Sequence, residues 1–184
     1  MTVLYNACRN TGRKEFLLIR KAIESDGPRI AEIHCYGWRF AYTDIISEKY
    51  LYSKLSVYDR TNRFYDKKEY EDPHFYVFDK DELIHGFMRM RQCGDEDKKD
   101  AFELCAIYVE PRLQGRGTGT ALLKFCEQTA TENGYYEIVL WVLQENQKAI
   151  SFYEKNGYMA DGKSQHLENI DAVEIRYVKN LRLS

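Results

Sequence analysis

What this sequence has little of narrows it first. Its 27 basic residues are matched by 29 acidic ones, which argues against a nucleic-acid partner and against a membrane-surface partner. Five cysteines (Cys8, Cys35, Cys93, Cys105, Cys126) never form a Cys-x-x-Cys pair. With Cys105 and Cys126 inside apolar patterns, they read as reduced core thiols of a cytoplasmic protein, not as disulfides or zinc ligands. The histidines His34, His74, His85 and His166 lack metal spacing, so no metal is expected. No apolar run approaches the ~18 residues of a membrane span. Residues 1–15 lack the apolar stretch of a signal peptide and read as a loosely ordered extension. Residues 16–184 then make one domain, without repeats or linkers, large enough to bury about 70% of its unfolded surface.

Strand and helix patterns alternate. Phe16–Arg20 reads as a strand, and Ser25-Asp26-Gly27-Pro28 starts a helix with Ile30, Ile33, Cys35, Trp38 and Tyr42 on its apolar face. Ser47 to about Glu69 reads as helical, polar and tyrosine-rich. Phe75–Phe78 and Leu83–Arg91 flank a short polar turn, the pattern of a hairpin. Cys93–Asp100 carries six charges and reads as a solvated loop. Ala101–Val109 is a strand, Thr118–Glu132 a helix stopped by Gly134, and Ile138–Leu143 a continuous apolar strand of the doubly buried kind. Asn146–Asn156 is a helix closed by Gly157, and Ala172–Val178 a last strand. The sum is one α/β domain around a mixed sheet.

The densest signal is Val109-Glu110-Pro111-Arg112-Leu113-Gln114-Gly115-Arg116-Gly117-Thr118-Gly119-Thr120. A strand passes through a proline into a three-glycine loop that opens directly into a helix. Glycines at alternate positions let several N–H groups point into one concavity. The helix behind adds unpaired N–H groups and the positive end of its dipole. Such a loop holds a phosphate or pyrophosphate. It is not a Walker A loop, since no lysine follows the glycines. It is not a dinucleotide fingerprint either: from Gly115 the third glycine position falls on Thr120, and from Gly117 on Leu122.

Gln114-x-x-Gly117-x-Gly119 resembles the Q/R-x-x-G-x-G/A signature of the GNAT superfamily of acyl-CoA-dependent N-acyltransferases. One helix and one strand later, Asn146-Gln147-Lys148-Ala149-Ile150-Ser151-Phe152-Tyr153-Glu154-Lys155-Asn156-Gly157-Tyr158 is similar to that family's N-x-x-A-x-x-F-Y-x-x-x-G-F/Y segment. The likeness spans roughly Phe16 to Val178, more loosely before Asp72. It implies a single GNAT-like domain, a mixed central sheet with splayed central strands flanked by helices.

The chemistry implied is direct attack of a primary amine on the thioester of acetyl-CoA, with no metal. The resemblance places the pyrophosphate on the backbone of Gln114, Gly115, Arg116, Gly117, Thr118, Gly119 and Thr120. It places the pantetheine arm on the strand edge at Tyr108 and Val109, with Asn146 beside it. A backbone N–H of that strand can face the thioester oxygen. Glu103, 11 residues before Gln114, stands where carboxylate-using members carry their base, on a strand otherwise apolar. Tyr153 stands where the family places the acid that protonates the leaving sulfur. Trp38, Tyr36 and Tyr42 are candidates for the acceptor pocket. The acceptor is a small-molecule or peptide amine, which Glu69, Glu71 and Asp72 tilt toward a cationic one; a homodimer is left open. The competing reading is a non-catalytic CoA-binding sensor or regulatory module.

Overall fold

The computed structural model describes residues 3–5 and 17–183. Eight strands form one sheet: β1 (Val3–Tyr5), β2 (Leu17–Lys21), β3 (Phe75–Lys80), β4 (Leu83–Gln92), β5 (Phe102–Val109), β6 (Glu137–Leu143), β7 (Met159–Leu167) and β8 (Ala172–Asn180). Their order is β1-β2-β3-β4-β5-β6-β8-β7. Every neighbouring pair is antiparallel except β5–β6. A parallel pair needs a crossover, and α3 (Thr118–Glu132) supplies it. The expected extension 1–15 lies outside the described residues apart from Val3–Tyr5, which pairs with β2 at the sheet's edge.

Helices cover both faces. On one, α3 and α4 (Gln147–Lys155) pack on a core of Phe102, Leu104, Leu122, Phe125, Ile138, Leu140 and Ile150. On the other, α1 (Gly27–Tyr42) and α2 (Val57–Asp66) bring Ile30, Ile33 and Phe64 onto Phe75, Val77 and Phe87. The helix ends follow their caps. The Ser56 hydroxyl accepts from the Asp59 N–H at 3.1 Å to start α2, and Asn146 does the same for Ala149 at 3.1 Å to start α4. Gly134 and Gly157 follow α3 and α4 with φ of 83° and 85°, the left-handed region that glycine enters at least cost.

Three expectations need correction. The long helix from Ser47 to Glu69 is broken: a π-turn at Tyr50–Lys54 ends in extended backbone at Leu55, and α2 starts afresh from Ser56. Sequence patterning also missed β7, whose residues are almost all exposed, so no apolar alternation marks it. Cys105 is not a core thiol. It is the extra residue of a β-bulge, since Arg89 faces Ala106 while the next residue, Met90, faces Leu104.

That bulge positions the site. Before it, Phe102 and Leu104 point to the α3 face. After it the alternation is shifted by one, so Ala106 and Tyr108 turn to the α1 face while Ile107 and Val109 take the α3 side. Next door, the β5–β6 pairing covers only Phe102↔Ile138 and Glu103↔Val139. Beyond Glu103 the two strands part, and the β6-facing backbone groups of β5 are left without ladder partners.

Candidate active site

The parting opens a cleft of about 730 Å³ whose walls include Trp38, Tyr42, Tyr108, Val109, Asn146, Tyr153 and the loop from Gln114 to Thr120. Thus the splay brings together two motifs that stand some thirty residues apart in sequence.

At one end sits the glycine loop. Gly115 and Gly117 adopt φ of 75° and 89°, and a Cβ at Gly117 would meet nothing within 4 Å. Gly117 caps α3, whose first internal bond runs from the Ala121 N–H to the Gly117 carbonyl. The N–H groups of Thr118, Gly119 and Thr120 therefore have no carbonyl within the helix. Gln114 ties the loop down: its side-chain amide donates to the Val109 carbonyl at 3.5 Å and accepts from Lys148 Nζ at 2.7 Å. Lys148, overlooked in the sequence, brings a cation from α4 to this end and also lies over the Phe40 ring. Gly119 has a packing role: a Cβ there would approach the Phe152 ring to 3.4 Å. Arg116 is exposed at the loop's tip and is not part of the cleft wall.

The middle of the cleft is aromatic. Trp38 Nε1 donates to the Tyr108 hydroxyl at 2.8 Å. Burial raises the Tyr108 pKa well above its usual value, and Tyr42 adds to the rise. Asn146 lines the cleft, but its carbonyl oxygen is taken up by the α4 cap. Tyr153 is buried among Phe152 and Tyr158, yet its hydroxyl has no partner among the described residues and the residue lines the cleft. Burial pushes its pKa up, with Tyr42 and Cys126 contributing. A phenol so placed stays protonated at neutral pH. Of the three aromatics expected around the acceptor, Trp38 and Tyr42 line the cleft, whereas Tyr36 faces solvent.

At the other end a polar chamber of about 310 Å³ adjoins the cleft, and Leu104, Cys105, Trp141 and Glu174 border both. Glu103 lines this chamber rather than the main cleft. It is buried, and both its oxygens are held by Arg91, at 2.8 and 2.9 Å. Asp95 and Glu174 complete the acidic wall. Glu174 went unnoticed in the sequence, although a glutamate inside Ala172-Val173-Glu174-Ile175 is as out of place as Glu103 is on β5. The loop 93–100 is more than a solvated connection: buried Arg176 of β8 donates to Asp95 and Asp97 at 2.7–2.8 Å, and to Asp161 on β7 at 2.8 Å. Glu69 and Asp72, which tilted the acceptor toward a cation, are spent elsewhere, paired with Arg60 and Arg89. The acidity at the site comes from other residues.

A mixed sheet opened between two parallel strands, with a glycine-capped helix at the opening, is the acyl-CoA-dependent transferase architecture that the motifs suggested. The model of the acetyltransferase (GNAT) family matches residues 38–158, and the chain belongs to that family. The spermidine N(1)-acetyltransferase of Thermoplasma acidophilum is 26% identical over 147 residues, covering 78% of this chain and 88% of that protein. An uncharacterized N-acetyltransferase of Methanocaldococcus jannaschii is 39% identical, but over 62 residues only, 34% of this chain and 27% of that one. Among solved structures, the PaiA N-acetyltransferase of T. acidophilum in complex with coenzyme A superposes with a TM-score of 0.67 at 24% identity, covering 89% of this chain and 98% of its own. Among the described residues no group of three or more His, Cys, Asp or Glu is arranged to hold a metal, and no helix is long and apolar enough to cross a membrane.

Proposed function

We propose that this protein transfers the acetyl group of acetyl-CoA directly to a primary amine, both substrates being bound together. The observation that carries the reading is the parting of β5 and β6 beyond Glu103. It sets a helix end suited to a phosphate and an unpaired strand edge beside an acidic chamber, with Leu104, Cys105, Trp141 and Glu174 bordering both spaces.

The residues present suit acetyl-CoA. Backbone N–H groups between Gln114 and Thr120 take the pyrophosphate, helped by the α3 dipole and by the charge of Lys148. The amide-rich pantetheine arm pairs with the edge at Tyr108 and Val109 and passes Asn146. A β6-facing N–H of β5 holds the thioester oxygen as charge develops there. The Tyr153 hydroxyl, kept protonated by burial, gives its proton to the departing sulfur. The amine enters from the chamber side, where a carboxylate or an ordered water takes its proton, because an ammonium has no lone pair with which to attack. Glu103, the carboxylate that the motif spacing singles out, is one of the two that face this space without an Arg176 contact; Glu174 is the other. The likeness to a spermidine N(1)-acetyltransferase supports an alkylamine acceptor.

A turnover screen of primary amines, read by free CoA release, tests the reaction. Turnover with at least one alkylamine is expected. Tight acetyl-CoA binding with no turnover on any amine would instead favour the CoA-binding module.

A further inference from the structure

The three carboxylates on the chamber wall are not equivalent. Each oxygen of Glu103 accepts one guanidinium N–H of Arg91, a neutral pair fixed across β4 and β5. Asp95 accepts from Arg176 at 2.8 Å. Glu174 has no ion-pair partner among the described residues, and its side chain accepts only from the Gln165 amide of β7. It is also the only one of the three that borders both the chamber and the main cleft.

Resting on the acetyltransfer reading above, we propose that Glu174 is the catalytic residue that receives the acceptor. It pairs with the incoming primary ammonium and takes its proton, while the Arg91–Glu103 pair holds the chamber wall. The position fits the task, because a base must stand between the route of the amine and the reacting carbon. A half-buried carboxylate without a counter-ion is completed by a cation, and a primary ammonium supplies one.

The balance of the step is simple. One N–H proton of the ammonium passes to a Glu174 oxygen, and the freed lone pair forms the nitrogen–carbon bond as the carbon–sulfur bond breaks. The sulfur takes the Tyr153 proton, and the nitrogen's second proton restores that phenol. Glu174 then releases its proton to solvent, so ammonium and thioester become amide, thiol and one proton.

The charges around Glu174 set its titration. Glu103 on β5 and Asp95 on the 93–100 loop share the chamber with it, paired with Arg91 and Arg176, while Gln165 donates to it and Tyr42 interacts with it electrostatically. Burial lifts its pKa above the usual carboxylate value, Gln165 opposes the rise, and Glu103 and Asp95 add to it. A raised pKa makes the ionised form a better proton acceptor.

Three measurements test this. Calorimetry with acetyl-CoA checks the underlying reading, which fails alone if nothing binds. Independently, carboxyl-13C NMR of glutamate-labelled protein, titrated with butylammonium in the presence of CoA, should move the Glu174 resonance and leave that of Glu103 in place. The moving signal should vanish in Glu174→Gln. With the best amine of the screen, Glu174→Gln should lower kcat/KM roughly 10²-fold and abolish the acid limb of its pH profile, with acetyl-CoA affinity unchanged. Glu103→Gln should keep that limb but move it to lower pH, because a charge that raises Glu174 is gone. A Glu103 resonance that moves instead, or a Glu174→Gln profile that overlays the parent's, would overturn the assignment.

Discussion

Gly119 in the first turn of α3 stands against the ring of Phe152 in α4, where a Cβ on the glycine would rest in van der Waals contact, 3.4 Å from the ring edge and 3.8 Å from Val109. The contact joins the two sequence motifs along the cleft wall, which both residues line. At the last glycine of the Gln114-x-x-Gly117-x-Gly119 run a Cβ would already touch its neighbours, so a branched side chain would overfill the contact, whereas the earlier glycines serve backbone shape.

Gly119→Val should destabilise the fold by about 1–3 kcal/mol through overpacking and should weaken acetyl-CoA binding by displacing the α3 N-terminus. Phe152→Leu in the same chain should recover part of both losses. Urea midpoints for the four-member cycle decide the matter: costs that simply add would show that the two residues do not restrain each other.

Gly117 is constrained differently. Its φ of 89° is left-handed, and no neighbour crowds the position of a Cβ. Gly117→Val should cost about 1–2 kcal/mol of backbone strain and weaken acetyl-CoA strongly, because a side chain obstructs close approach to the loop. Gly117→Asn, which tolerates that backbone better, should keep most of the stability yet still lose acetyl-CoA affinity. A pantetheine fragment without phosphates should bind all three proteins nearly alike. Equal affinity of acetyl-CoA for parent and variants would move the pyrophosphate elsewhere.

His34 gives the fold a pH dependence. Burial, with Arg60 and Arg63 adding to it, pulls its pKa from 6.5 down to about 3, and its Nδ1 is buried without a hydrogen-bond partner. Between these two values the unfolded chain binds a proton that the native state refuses. The contribution is whole above pH 6.5 and is lost as pH falls toward 3, by up to ~1.4 kcal/mol per pH unit. His34→Leu should thus lose less melting temperature than the parent between pH 7 and pH 4.5. Parallel losses would show that other groups govern the acid limb of stability.

Much of this was written in the sequence because local chemistry fixed it. Thr118–Glu132 is bounded by Gly117 and Gly134, and the helix has those ends; Asn146 starts α4 as its cap. The glycine-loop end of the cleft was legible for the same reason, being built from one loop and one helix end. The chamber end was not. Glu174 stands on β8, far along the chain from Arg91 and Asp95 at the end of β4 and just after it, and only the sheet order brings it beside them. The bulge at Cys105 carried no sequence mark, since an apolar strand with one extra residue still reads as an apolar strand. Likewise Arg176, buried under three aspartates from two segments, looks in isolation like any charge on a strand.

Tyr153 offers the cleanest separation of packing from chemistry. Its ring is part of the α4 core, while its hydroxyl is committed to no other described residue, so Tyr153→Phe should leave melting temperature and acetyl-CoA affinity nearly unchanged. Turnover should fall on the order of 10²-fold, the low end for a general acid, because a thiolate already leaves readily. Acyl donors with different thiols sharpen the test. If the phenol protonates the departing sulfur, the variant gains more than the parent when the leaving thiol is made more acidic, since a weaker base needs less help. The parent's rate should also hold up to high pH, because burial raises the Tyr153 pKa and keeps the proton in place. A variant that loses acetyl-CoA affinity, or that follows the parent's dependence on the leaving thiol, would make Tyr153 a wall of the cleft and leave protonation of the sulfur to solvent.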